Sequence, residues 1–129
     1  MTKKEKAYIK TWLEIAEHDL RAARSLIEYE PMILDIACFH CQQSVEKFFK
    51  AFLTFKNKHF DKTHDVILLK KLCSKIDRNF DDIDLKNLDA FAVGVRYPDN
   101  YLIPSMKETK EYMQMVLDVK ELVLKKIKF

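Results

Sequence analysis

The stretch ILDIACFHCQQSVEKFFKAFLTFKN, residues 33–57, decides how this chain folds. Its apolar side chains recur in steps of four and three: Leu34, Cys38, Cys41, Val45, Phe48, Phe52 and Phe55. Ala37, Ser44, Phe49 and Ala51 widen that stripe. The period predicts a helix from about Ile33 to Asn57. A helix apolar around most of its girth must be packed on several sides, so it should be the central one of its domain.

Working outward, Pro31 separates this helix from one before it, because the residue ahead of a proline is pushed out of the helical region. That first helix is expected from about Lys4 to Tyr29, with Tyr8, Trp12, Ile15, Ala16, Ala23, Leu26 and Ile27 on its apolar face. Downstream, Thr63 or Asp65 is placed to cap a third helix ending near Ile76, with Val66, Leu69, Leu72, Cys73 and Ile76 inward. Asp81, Asp82 or Asp84 is placed to cap a short fourth helix through Leu85, Leu88, Ala92 and Val95. Pro98 and Pro104 interrupt the segment that follows. Ser105 is placed to cap a last helix to about Lys128, with Met113, Val116, Leu117, Val123, Leu124 and Ile127 as its stripe. Two long helices joined by a short proline turn should pack antiparallel. The expected fold is an all-α, up-and-down bundle of four to five helices, a single domain over residues 1–129, with no internal repeat or linker.

Composition agrees. The chain has one glycine and three prolines, too few turn formers for a sheet-rich fold. Its 129 residues suffice for a core without disulfide or metal. The net charge of +3 is too small to indicate nucleic-acid binding by itself. The lysines gathered at the two ends read as solvated termini. No apolar run approaches the ~20 residues of a membrane span. Three cysteines without a secretory signal point to reduced thiols in a cytoplasm. Cys38 and Cys41 lack the further paired ligands of a closed zinc site, so they read as core thiols, and neither metal nor cofactor is expected. There is no glycine-rich phosphate loop, no G-x-S-x-G elbow and no H-E-x-x-H.

Several polar residues depart from this pattern. Asp19 falls within the apolar stripe of the first helix and needs a partner there. It reads first as one half of a structural pair with a basic residue, and second as a group orienting an active arginine or lysine. Gln42, Glu46 and Lys50 stand four apart in the most apolar helix and form one row, with Gln43 and Lys47 beside it. That row is either a solvated set of Glu-to-Lys rungs or the wall of a groove that bonds a ligand or the domain's own loops. His64 precedes a helix. Arg96 and Asp99 flank Tyr97-Pro98, a stiff turn that displays both charges together.

The ordered set Trp12 with Ala16-Glu17-His18-Asp19-Leu20, then Cys41-Gln42-Gln43-Ser44-Val45-Glu46-Lys47-Phe48-Phe49-Lys50-Ala51, then Thr63-His64-Asp65, then Arg96-Tyr97-Pro98-Asp99, resembles the HEPN domain, "higher eukaryotes and prokaryotes nucleotide-binding". The resemblance covers nearly the whole chain. It implies a helical bundle that forms a homodimer, a minimal nucleotidyltransferase as partner, and a place in a toxin–antitoxin module. It also implies, for many members, metal-independent ribonuclease activity with the signature Arg, four to six residues, His. Here the positions that His would take after Arg96 hold Tyr101, Leu102 and Ile103, and no histidine follows His64. Histidine is the group that moves protons at neutral pH in a metal-free cleavage.

The reading therefore places binding ahead of catalysis. The domain is expected to bind a nucleotide, or RNA, and a nucleotidyltransferase partner. Lys47, Lys50 and Arg96 would meet phosphate, Gln43 and Tyr97 would position the ligand, and Asp19, Gln42, Glu46 and Asp99 would support them. A divergent ribonuclease using Arg96 with His64 or Tyr101 is the enzymatic alternative. A purely structural interaction module is the third.

Overall fold

The structure, a computed structural model, describes residues 1–92, 98, 101 and 103–129. Four α-helices carry it: α1 (Lys3–Tyr29), α2 (Leu34–Phe55), α3 (Val66–Ile76) and α4 (Met106–Lys126). Among the described residues there is no strand. The helix starts expected at Asp65 and Ser105 are present, and Thr2 caps α1. Thr2 accepts a hydrogen bond from the Glu5 amide at 3.0 Å. Asp65 accepts from the amides of Ile67 and Leu68, both at 3.1 Å. Ser105 and Glu108 close a reciprocal capping box that satisfies two amides otherwise left without partners.

Helices α1 and α2 form an antiparallel hairpin across a 3-10 turn at Pro31–Ile33. Their cross-contacts descend in register: Trp12 beneath Lys50, the Ala16 carbonyl with Ser44, Asp19 with His40. Helix α4 runs in the same sense as α2, with Thr109 against Cys38 at one end and Phe129 against Phe55 at the other. Residues 77–105 make the return between α3 and α4. The core gathers on α2, where Phe48, Phe49, Phe52 and Leu53 are buried. Phe80 stacks against Phe52 with ring centroids 4.5 Å apart.

Three expectations need correction. Among the described residues the short fourth helix is absent. Residues 78–82 and 88–91 form 3-10 turns instead, and Val95 lies outside the described residues. Local side-chain bonds compete with the helix here. Asp77 accepts from the Asn79 amide, Asp84 accepts from the Lys86 amide, and Lys86 takes the left-handed conformation at φ 51°. On α1 the buried line is Ile9, Ala16, Leu20 and Ala23, while Tyr8 and Ile15 are exposed. Ile76 and Leu124 also face outward. A broad apolar arc gives the period of a helix without saying which edge of the arc a neighbour covers.

Candidate functional site

The neighbouring helices and the loop before α3 pack on α2, so its polar row is buried rather than solvated. Gln42 and Glu46 are fully shielded and Lys50 nearly so. Buried polar groups must find partners, and this row finds them in the loop before α3. The Gln42 side-chain amide donates to the backbone carbonyl of His64 at 2.9 Å. Gln43 donates to the Gln42 carbonyl oxygen at 2.9 Å, and Lys47 donates to that of Gln43 at 3.0 Å.

Glu46 is the centre of this network. Its Oε2 accepts from Lys47 Nζ at 2.7 Å and from Lys50 Nζ at 3.0 Å, and its Oε1 meets His64 Nδ1 at 2.9 Å. Burial alone would push the carboxyl up. The bonds from Lys47, Lys50 and His64 more than offset that and hold it below its usual range, so it is ionised. An ionised carboxylate only accepts, which makes Nδ1 the donor on His64. The second ring nitrogen, Nε2, is then free of the Glu46 contact, on a side chain 63% exposed.

Lys50 Nζ also lies over the Trp12 ring, 5.5 Å from its centroid. These groups border a cleft of about 330 Å³ lined by Trp12, Lys47, Lys50, Lys62, Thr63 and His64, with Glu46 at its floor. Three lysines and one carboxylate line it, which leaves the cleft cationic. Each ammonium carries three protons. Lys47 places its bonds on Gln43 and Glu46, and Lys50 places one on Glu46. Donors therefore remain for an anion.

The structure thus brings Gln42, Gln43, Glu46, Lys47, Lys50 and His64 together. Asp19 stands apart, roughly 10 Å along α1 from Trp12 at 1.5 Å per residue. It pairs with His40 Nδ1 at 2.8 Å, the structural pairing expected first. Tyr101 is exposed. Arg96, Tyr97 and Asp99 lie outside the described residues. Trp12 and Lys62 were not among the residues singled out for the site. Trp12 looked like core, and nothing local to Lys62 says that its loop folds back over α2.

The cysteines line the core. Burial pushes the Cys38 thiol up to about 11, and Cys41 and Cys73 higher still. All three are free of disulfides. Among the described residues no group of three or more His, Cys, Asp or Glu is arranged to hold a metal ion. No helix among them is long and apolar enough to cross a membrane.

Residues 9–129 match the HEPN domain family. The fold is similar to the crystal structure of an archaeal HEPN homologue, with a TM-score of 0.64 and 22% identity over 93% of this chain and 98% of that one. No curated protein matches the sequence.

Proposed function

The chain belongs to the HEPN domain family, and on that basis we propose that it binds a nucleotide through its phosphate in the cleft above Glu46. The supporting observation is the convergence of Lys47, Lys50 and His64 on one buried carboxylate, with Lys62 lining the same cleft. Glu46 fixes two of the ammonium groups before any ligand arrives, so little side-chain freedom is lost on binding. Gln43 steadies Lys47, and Arg96 with Tyr97 adds a bidentate cation and a ring from the Arg-Tyr-Pro-Asp segment. The domain acts as a homodimer beside a minimal nucleotidyltransferase, in a toxin–antitoxin module. Exposed Ile67, Leu68 and Ile76 on α3 leave apolar surface for such association.

A thermal-shift screen with ATP, GTP, AMP and short RNA tests the binding reading. A ligand at a hundred times its dissociation constant adds ~2.7 kcal/mol, a shift of several degrees. Arg96→Ala should abolish the shift while leaving the unliganded melting temperature unchanged. A large fall in that temperature would make Arg96 structural. No shift with any ligand, alongside a shift with the product of a neighbouring gene, would favour a pure interaction module.

One contact supports a second reading. The Glu46–His64 bond fixes the histidine's tautomer and leaves Nε2 for proton transfer. In a ribonuclease, Nε2 would take the 2′-hydroxyl proton as that oxygen attacks the adjacent phosphorus to form a 2′,3′-cyclic phosphate, and the 5′-oxygen would depart with a proton from water, with Arg96 and the lysines stabilising the charge that develops. Cleavage of RNA by clean protein, lost in both His64→Ala and Arg96→Ala, would establish it. Wild-type protein that leaves RNA intact rules it out.

A further inference from the structure

A second cleft of about 440 Å³ adjoins the lysine cluster and shares Trp12, Lys50 and Lys62 with it. Its outer wall is aromatic. Tyr8, one turn before Trp12 on α1, meets that ring edge-on at 5.8 Å, and Phe60 tilts against the same ring at 6.5 Å. Tyr8 is 56% exposed although it precedes a tryptophan that packs. The cleft is formed because Asn57 takes the left-handed conformation at φ 55°, which ends α2 and folds Lys58–Lys62 back toward Trp12. Asparagine tolerates that region better than most residues.

The chemistry of the lining is mixed in one particular way. Tyr8, Trp12 and Phe60 offer ring surface, Lys50, Lys58 and Lys62 offer positive charge, and Thr54 and Asn57 offer polar edges. Among the described residues no acidic one lines it. The Trp12 indole N–H is shielded and has no acceptor among the described residues. A phenyl ring would avoid that loss, so the indole is placed for its face and not for its hydrogen bond. A tryptophan face is the best aromatic partner for a cation or a stacked π-system.

We propose that this aromatic cleft is the base-binding half of a two-part site, taking the ring of a nucleoside phosphate whose phosphate lies in the lysine cleft next door. The inference rests on the phosphate reading of that neighbouring cleft. Lys50 and Lys62 stand at the boundary, where the sugar–phosphate joint would lie. Stacking tolerates any base, because every base has a π-face. The ligand is a nucleotide unit, free or at the end of a single strand.

Trp12 is the chain's single tryptophan, so its fluorescence reports on the site without a label. The experiment titrates wild-type protein and Tyr8→Ala with AMP, adenosine, inorganic phosphate and a three-residue oligoadenylate. Phosphate is followed by thermal shift. Because Tyr8 is exposed, its truncation should preserve the fold, which a melting curve verifies. AMP or the oligoadenylate is expected to quench Trp12 saturably, the tighter of the two naming the source. Phosphate should compete without quenching. Tyr8→Ala should weaken AMP about tenfold, the scale of one lost stacking partner, and leave the phosphate shift unchanged. AMP binding no tighter than phosphate, or AMP binding unaltered in Tyr8→Ala, overturns the base site and leaves the phosphate site standing. Adenosine binding as tightly as AMP overturns the two-part site from the other side. Protein that responds to none of the four probes overturns both.

Discussion

Replacing Glu46 by glutamine keeps the shape of the side chain and removes its charge. The carboxylate it replaces is fully buried and accepts from Lys47 at 2.7 Å, Lys50 at 3.0 Å and His64 at 2.9 Å. A glutamine oxygen at the Oε2 place still accepts from both lysines, and its amide donates to His64 Nδ1 once that ring changes tautomer, so what the substitution removes is the negative charge. The two ammonium groups would be stranded, with side chains only 14% and 8% accessible. Removing one partner of a buried ion pair costs ~3–5 kcal/mol. The residual access of both lysines to water sets the lower end, about 3 kcal/mol. For a domain of this size that lowers the melting temperature by on the order of 10 °C. Circular dichroism at the helix band, followed through thermal and urea unfolding, reads the effect. The same reasoning requires that Lys50→Met recover part of the loss when combined with Glu46→Gln, since it removes one stranded charge. A fall of less than about 2 °C in the single variant, or strictly additive losses in the pair, would refute the view that Glu46 is the keystone of this network.

Other outcomes follow from the same structure. Glu46 has a folded-state pKa below its unfolded value, so its contribution to stability is complete above the unfolded value of about 4.3 and is lost as pH falls through the folded one. The melting temperature should be level from pH 7 to 5, drop below about pH 4, and drop less steeply in Glu46→Gln; an equally steep drop in the variant would assign acid sensitivity elsewhere. Ser105→Ala removes the acceptor of the Glu108 amide at 3.0 Å. It should cost about 1 kcal/mol in urea unfolding, and no change would mean that water replaces the cap. Cys38, Cys41 and Cys73 are buried with thiols raised by that burial. A thiol reagent at pH 8 should label none of them in native protein and all of them in denaturant, and rapid native labelling would contradict the packing.

The fold was legible where local chemistry governs it. Pro31, Asp65 and Ser105 mark helix boundaries through effects that act within four residues, and the central rank of α2 followed from its apolar girth. What the sequence hid was set at a distance. Gln42, Glu46 and Lys50 were visible as a row, but the loop at residues 59–65 decides that the row is buried, and nothing in the row encodes where that loop lies. Asp19 shows the opposite case. Its need for a basic partner could be read from its place in an apolar stripe, and only the identity of His40 waited for the structure. The expected fourth helix failed because its capping candidate Asp84, like Asp77 upstream of it, bonds the backbone in a turn as readily as at a helix start.

Burying a polar row in the central helix has a consequence for how the site must be probed. Gln42 and Glu46 hold the loop by its His64 backbone and ring, and that loop carries Lys62 to the cleft and Phe60 to Trp12. The groups that stabilise the bundle are therefore the groups that assemble the binding surface. A substitution at Gln42 or Glu46 loosens the loop and lowers stability together, so lost binding in such a variant cannot separate a ligand contact from a brace. Lys62 and Tyr8 stand at the exposed rim and carry no share of the Glu46 network. Variants there can lose ligand at constant melting temperature, and that combination distinguishes a site built for a ligand from a row that only holds the helices together.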